Sequence, residues 1–228
     1  TKGVLGYSQR AAVRADIEEA RADQSAFRDR IEQSILEEIR DIPDLFDFAV
    51  AGGKSAFSVN CSQCHGAGGA GAPGFPNLND DAWIWGGKPA EILDTIRVGI
   101  RSDHPDTRFN QMPAFLADEL LTREEVSNVV EYVLKISDQS HERDAAARGQ
   151  TVFREQCSSC HQESGKGNRE LGAPNLADAI WLYGGSRDEI RRTVSLARNG
   201  VMPAWEDKLD EVTRKQLATY VHALGGGE

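Results

Sequence analysis

The sequence is short of three things: long hydrophobic runs, strand-like alternation and sulfur-containing residues. No apolar stretch approaches the ~20 residues that a membrane-spanning helix needs. No segment shows a convincing period-two alternation of apolar and polar residues, so no β-strand is predicted. The net charge of −10 argues against nucleic-acid binding, which requires a basic surface. The 228 residues include only four cysteines and two methionines.

All four cysteines lie in two copies of the pattern Cys-X-X-Cys-His. The copies are Cys61-Ser-Gln-Cys64-His65 and Cys157-Ser-Ser-Cys160-His161. Residues three apart share one face of a helix, so both cysteines of a copy can reach one porphyrin edge. The adjacent histidine can then reach the iron. This is the attachment pattern of a c-type haem, and it predicts two covalently attached haem c groups with histidine ligands.

Other chemistries account less well for these cysteines. A thioredoxin-type redox pair would lie beside a βαβ pattern, which the sequence lacks. A zinc ribbon would bring its cysteine pairs much closer together along the chain. Neither alternative explains the histidine that follows each pair.

The two methionines occupy matched positions. Met112 lies in Met-Pro-Ala-Phe and Met202 in Met-Pro-Ala-Trp, each downstream of the haem motif in its own half of the chain. A thioether is a soft neutral ligand that can complete the coordination of haem iron. The following proline fixes the backbone of the loop. We therefore expect both methionines to bind iron, although a lone methionine often only fills core space.

An internal repeat extends beyond the motifs. Pro-Asn-Leu begins at Pro76 and again at Pro174, and the pattern Trp-X-aromatic-Gly-Gly begins at Trp83 and again at Trp181. Each pair is 98 residues apart. The fold class is predicted to be all-α, with two tandem haem domains preceded by an amphipathic N-terminal helix. The predicted divisions are 1–43 for the N-terminal connector and charged helix, 44–140 for the first haem domain and 141–228 for the second.

Helical periodicity locates the main elements. Apolar residues spaced by three and four predict an amphipathic helix over about 8–40, which either packs on the first haem domain or acts as a connector. A glycine and an aromatic residue precede each haem motif. We expect each such pair to pack against the tyrosine-bearing final helix of its own half. These residues are Gly53, Phe57 and Tyr132 in the first half and Gly149, Phe153 and Tyr220 in the second.

In this order of elements both halves resemble class I cytochromes c. The resemblance implies that the carbonyls of Pro76 and Pro174 accept hydrogen bonds from the ligand histidines. It also implies that Trp83 and Trp181 contact haem propionates. Three arginines are weaker propionate candidates, and a solvated role is their alternative: Arg101, Arg108 and Arg198. We expect His104 to lie on a solvated loop rather than to compete for iron.

The whole chain resembles something narrower, the di-haem subunit III of cbb3-type cytochrome c oxidase. The resemblance starts with a Gly-Val-Leu-Gly segment at residues 3–6 and includes the charged helix and both Trp-X-aromatic-Gly-Gly segments. It implies electron transfer, not catalysis, on the periplasmic side of the bacterial inner membrane. The implied partners are the other oxidase subunits and, as electron donor, a c-type cytochrome or a quinol–cytochrome c reductase. Membrane association would occur through helices that are absent from this chain.

Two further functions fit the haem motifs. A freely diffusing di-haem carrier of the cytochrome c4 type would have the same haem domains without needing the charged helix. A di-haem peroxidase would need one iron with an open coordination position, which two matched methionines argue against.

Overall fold

The computed structural model describes residues 8–227, so the Gly-Val-Leu-Gly segment lies outside the described residues. Over that range the chain is helical and contains no strand, only isolated bridges. The all-α prediction is therefore confirmed. The helices are α1 Gln9–Gln33, α2 Leu36–Asp41, α3 Pro43–Asn60, α4 Ser62–His65, α5 Pro89–Val98, α6 Arg123–Ile136, α7 Arg143–Gln156, α8 Ser158–His161, α9 Arg187–Leu196 and α10 Glu211–His222, with 3₁₀ turns at Ala67–Gly69 and Arg169–Leu171.

Helix starts follow from local sequence signals. Thr122 caps α6, where its hydroxyl accepts from the Glu125 N–H while the Glu125 carboxylate accepts from the Thr122 N–H. Ser186 and Glu189 form the same capping box at α9. Proline begins α3 and α5, where its missing N–H costs no helical hydrogen bond.

The predicted N-terminal helix is broken into two. α1 ends at Gln33, and Ser34 and Ile35 are extended before α2 begins. The Lys215 ammonium donates to the carbonyls of Ile31, Glu32 and Ser34, so α10 caps the end of α1. Only the end of α1 is buried, because Val13 and Ile17 are 56% and 46% exposed. The helix thus packs through its C-terminal part alone.

Two hydrophobic cores form, and each takes helices from both halves of the chain. In the first core α3 packs against α10 and α5, with α1 and α2 at its side. In the second core α7 packs against α6, and α6 packs against α9. The final helix of each half therefore packs on the haem-motif helix of the other half.

The segments that cross between the cores are paired through the backbone. Ile100 and Met202 exchange two N–H···O=C bonds, each of 3.0 Å. Beyond this crossing, the Trp205 N–H donates to the Ile96 carbonyl at 3.1 Å, and the Phe115 N–H donates to the Val194 carbonyl at the same distance. The two methionine segments thus follow equivalent routes, each beside the short helix that belongs to the other half of the sequence.

The divisions 44–140 and 141–228 are repeats in the sequence. The packed helices, by contrast, come from both sides of the boundary at residue 140. Six residues, 137–142, connect α6 to α7, and so short a connection favours packing of the two helices as an antiparallel pair. The second haem-motif helix is consequently covered by the helix that precedes it. The equivalent place on α3 is taken by α10.

Candidate haem-binding sites

Each Cys-X-X-Cys-His motif forms one tight helical turn at the end of a longer helix. Cys61 ends α3, and the His65 N–H donates to the Cys61 carbonyl at 2.9 Å. Cys157 ends α7, and the His161 N–H donates to the Cys157 carbonyl at 2.9 Å. This turn places the two thiols and the imidazole of each motif on neighbouring positions of one surface.

The proline carbonyls hold the histidine rings as the sequence resemblance implies. His65 Nδ1 lies 3.3 Å from the Pro76 oxygen, and His161 Nδ1 lies 2.9 Å from the Pro174 oxygen. Burial lowers the pKa of both histidines, against the opposing effect of these hydrogen bonds. The rings are therefore neutral at pH 7, with Nδ1 as donor and Nε2 free to bind iron.

The first cysteine of each motif is a poor thiolate, because its thiol is buried. None of the four forms a disulfide. Burial raises the pKa of Cys61 to about 11 and that of Cys157 to about 12. Redox-active and metal-binding cysteines instead require a stabilised thiolate. Residues 8–227 also contain no cluster of three or more His, Cys, Asp or Glu side chains suited to a metal ion.

The methionines lie at opposite cores from those expected. Met202, from the second half, packs half-buried against the core that contains Phe57 and borders Cys61. Met112, from the first half, packs against the core that contains Phe153 and borders Cys157. The expectation that each methionine accompanies the motif of its own half is therefore wrong, because the connecting segments cross.

The glycine and aromatic pairs show the same exchange. The Phe57 ring lies 5.4 Å from the Tyr220 ring, and the Phe153 ring lies 5.1 Å from the Tyr132 ring. A Cβ on Gly53 or Gly149 would lie less than 3.0 Å from the backbone of the facing helix, α10 or α6. The predicted packing motif is present, but the predicted partner within the same half is wrong.

A cavity of about 1130 Å³ brings the remaining predicted residues together. Pro76, Pro174, Trp83 and Trp181 all line it, and they come from both halves. The Trp83 indole N–H donates to the Gly226 carbonyl near the C-terminus. Both tryptophans thus lie beside the proline loops of the haem motifs.

The three candidate arginines differ in their surroundings. Arg101 donates to the carbonyls of Gly200 and Asn110, and Arg198 donates to Thr193 and to the Glu189 carbonyl. Arg108 contacts Asp94, but its Nε is buried without a hydrogen-bond partner. A buried unpaired donor is costly, so Arg108 is the arginine whose surroundings fit an additional anionic partner such as a propionate.

His104 is not on a solvated loop, contrary to expectation. Its side chain is 11% exposed, and Nε2 lies 2.6 Å from the Glu206 carboxylate, which also contacts Arg97. The hydrogen bond to His104 lowers the pKa of Glu206. This link ties the loop after α5 to the segment after Met202. Sequence patterns did not reveal it, because its members are about a hundred residues apart.

Comparison with known proteins is in line with this geometry. The sequence profile described as "Cytochrome C oxidase, cbb3-type, subunit III" matches residues 48–133 and 144–221. The chain belongs to this family. It is 48% identical to the cbb3-type cytochrome c oxidase subunit FixP of Rhizobium meliloti (strain 1021), over the whole chain and 78% of the relative. It is 47% identical to the subunit CcoP of Cereibacter sphaeroides and 45% identical to that of Azospirillum brasilense, again over the whole chain and over 79% and 80% of those proteins.

Membership of the cbb3 subunit III family confirms the resemblance stated from the sequence and the presence of two covalently attached haem c groups. It favours an oxidase subunit over a freely diffusing carrier or a peroxidase. Within residues 8–227, no helix combines the length and the apolar character needed to cross a membrane.

Proposed function

We propose that this cbb3 subunit III relays electrons, without being an enzyme itself, to the catalytic subunit of a cbb3-type oxidase. The donor is a c-type cytochrome or a quinol–cytochrome c reductase, and the place is the periplasmic side of the bacterial inner membrane. Other oxidase subunits are its partners. The supporting observation is the duplicated motif turn with its neutral, carbonyl-held histidine, in a chain whose relatives are named oxidase subunits.

The haems supply the one-electron chemistry, and the chain holds them. Cys61 and Cys64 attach one haem, and Cys157 and Cys160 attach the other. His65 and His161 would hold the two irons through the ring nitrogens that the proline carbonyls leave free.

The sixth ligands are exchanged between the halves. Met202 would supply its thioether to the iron held by His65, and Met112 would supply its thioether to the iron held by His161. The support is packing, since each methionine borders the core that contains the other half's motif helix. His/Met coordination favours the reduced state relative to histidine alone. Each haem-binding unit then consists of a motif and loop from one half with a methionine segment and final helix from the other.

The surrounding residues orient these ligands. Pro76 and Pro174 accept from the histidines and fix the ring planes. Trp83 and Trp181 border the cavity beside the proline loops, where they would contact the propionates. The unpaired Nε of Arg108 would offer a hydrogen-bond donor to a propionate. Transfer to soluble donors requires only a small, transient contact surface.

A pair of single-haem variants tests the ligand assignment. Replacing Cys157 and Cys160 by alanine leaves only the haem on Cys61 and Cys64, and a pyridine haemochrome assay checks that one haem per chain remains. In this background Met202→Ala should abolish the iron–thioether charge-transfer band, whereas Met112→Ala should leave it intact. The opposite pattern would show that each methionine serves its own half. The reciprocal background, without Cys61 and Cys64, repeats the test if the first is poorly folded.

A second experiment separates the proposed function from the alternatives. Purification from membranes should recover the chain with an oxidase core, and reduced cytochrome c should reduce both haems. A freely diffusing carrier would not copurify. A peroxidase would show a five-coordinate or high-spin haem in one redox state and would react with hydrogen peroxide.

A further inference from the structure

Two aromatic residues contact the opposite half of the chain at equivalent places. A Cβ on Gly172 would lie less than 3.0 Å from the six-membered ring of Trp85. A Cβ on Gly74 would lie 3.2 Å from Tyr183 Cε1. Trp85 and Tyr183 are the second aromatic positions of the two Trp-X-aromatic-Gly-Gly segments, and the glycines are also separated by the repeat distance. One aromatic ring from each half thus packs against a glycine of the other half.

Both glycines belong to turns that lead directly to the proline carbonyls. Gly74 lies in the turn closed by two hydrogen bonds between Ala72 and Phe75, and Pro76 follows. Gly172 lies in the turn closed by two bonds between Asn168 and Ala173, and Pro174 follows. The contacted glycine is therefore two residues before the carbonyl that accepts from the ligand histidine.

Polar contacts hold the rings and turns in register. The Gly74 N–H donates to the Leu182 carbonyl at 2.7 Å, next to Tyr183. On the other side, Asn110 Nδ2 donates to the Leu171 carbonyl at 2.6 Å, next to Gly172.

Each ring is also covered by an arginine. Arg108 lies 5.7 Å from the Trp85 ring centre, and Arg198 lies 4.7 Å from the Tyr183 ring centre. A guanidinium over an aromatic face is attractive and limits ring rotation.

We propose that Trp85 and Tyr183 are positioning residues that act across the two halves. Trp85 holds the turn before Pro174 and so sets the hydrogen bond of His161, and Tyr183 does the same for Pro76 and His65. The proposal rests on the proposed histidine ligation. A carbonyl that accepts from Nδ1–H makes the imidazole a more basic ligand, which favours the oxidised iron. Loss of either ring should therefore raise the reduction potential of the haem in the opposite half.

Potentiometric titration of the di-haem protein tests whether a substitution in one half changes the reduction potential of the haem in the other half, which we call the cross-response. The two Nernst components are first assigned with the single-haem cysteine variants. Trp85→Ala should change the reduction equilibrium constant of the haem on Cys157 and Cys160 at least threefold, about 28 mV for a one-electron couple. The haem on Cys61 and Cys64 should stay within error. Tyr183→Ala should give the reverse pattern.

Three further variants accompany these two: two are controls and one is an alternative way to displace the Trp85 ring. Tyr183→Phe keeps the ring and should leave both potentials unchanged. Ile84→Ala removes a neighbouring cavity-lining side chain and should not produce the cross-response. Gly172→Ala displaces the Trp85 ring without deleting it and should shift the same haem as Trp85→Ala, which keeps the test open if the latter variant folds poorly.

A second readout is hydrogen exchange of the ligand Nδ1–H, followed by NMR in the reduced state. It should accelerate only at the histidine of the opposite half. Unchanged potentials in Trp85→Ala or Tyr183→Ala protein that retains two six-coordinate haems would overturn the proposal, as would a shift, in either of these two variants, that is confined to the haem of the substituted residue's own half. Fewer than two haems, or missing histidine ligation, in the unsubstituted protein would instead overturn the proposed function.

Discussion

Adding one methyl group to Gly53 should destabilise the protein far more than adding it to the adjacent Gly52. Both residues lie within α3 and both face α10. A Cβ on Gly53 would lie 2.6 Å from Tyr220 Cβ and within 3.0 Å of the Gln216 carbonyl oxygen. A Cβ on Gly52 would meet only the amide end of the Gln216 side chain.

Both substitutions gain the same helix propensity, but they differ in the free energy that steric overlap with α10 costs. Alanine is favoured over glycine in a helix interior by about 1 kcal/mol. At Gly53 the backbones of α3 and α10 would have to separate by on the order of 1 Å, and overpacking of this kind costs about 1–3 kcal/mol or more. At Gly52 the flexible amide can rotate away. We expect Gly53→Ala to be about 2–3 kcal/mol less stable than Gly52→Ala.

Thermal and chemical unfolding of the two variants measure this difference. For a chain of this size it corresponds to a gap of about 4–12 °C in midpoint temperature. Both proteins should first be shown to carry two haems. If Gly53→Ala were as stable as Gly52→Ala, the close contact between α3 and α10 would be refuted. The exchanged arrangement of the two halves would then lose its main packing support.

Three other substitutions test specific contacts. Glu131, which is 4% exposed, accepts two hydrogen bonds from Arg187, and these lower its pKa; Glu131→Gln should cost about 1–2 kcal/mol in urea unfolding. Because the folded pKa is depressed, this difference should be complete above pH ~4.5 and disappear as the pH falls through the folded pKa; a pH-independent difference would contradict the ion pair. Lys215→Met should lower the free energy of unfolding by about 2 kcal/mol, because it leaves the last carbonyls of α1 uncapped. Amide hydrogen exchange should accelerate at that end of α1 only. Ala197 ends α9 with φ 51°, so Ala197→Gly should raise stability by about 1 kcal/mol, and a loss would show that the alanine methyl is needed for packing.

The sequence alone determined the chemistry of the sites. Cysteine spacing and the adjacent histidines are local patterns that predict haem attachment without reference to the rest of the fold, and the matched methionines are predicted as iron ligands in the same way. Helix starts at Thr122, Ser186 and Pro89 were likewise predictable, because a capping box or an N-terminal proline acts within one turn. The all-α class followed from periodicity, and family membership followed from the order of the motifs.

Only the tertiary structure decided which copy of each repeated element packs with which. Tyr132 and Tyr220 are equivalent in sequence, and each could cover either motif helix with similar side-chain chemistry. The choice depends on the short connection between α6 and α7 and on the backbone pairing of Ile100 with Met202. The His104–Glu206 link and the Trp85–Gly172 contact were hidden for the same physical reason: they join residues distant along the chain, and no local pattern records which distant surfaces meet.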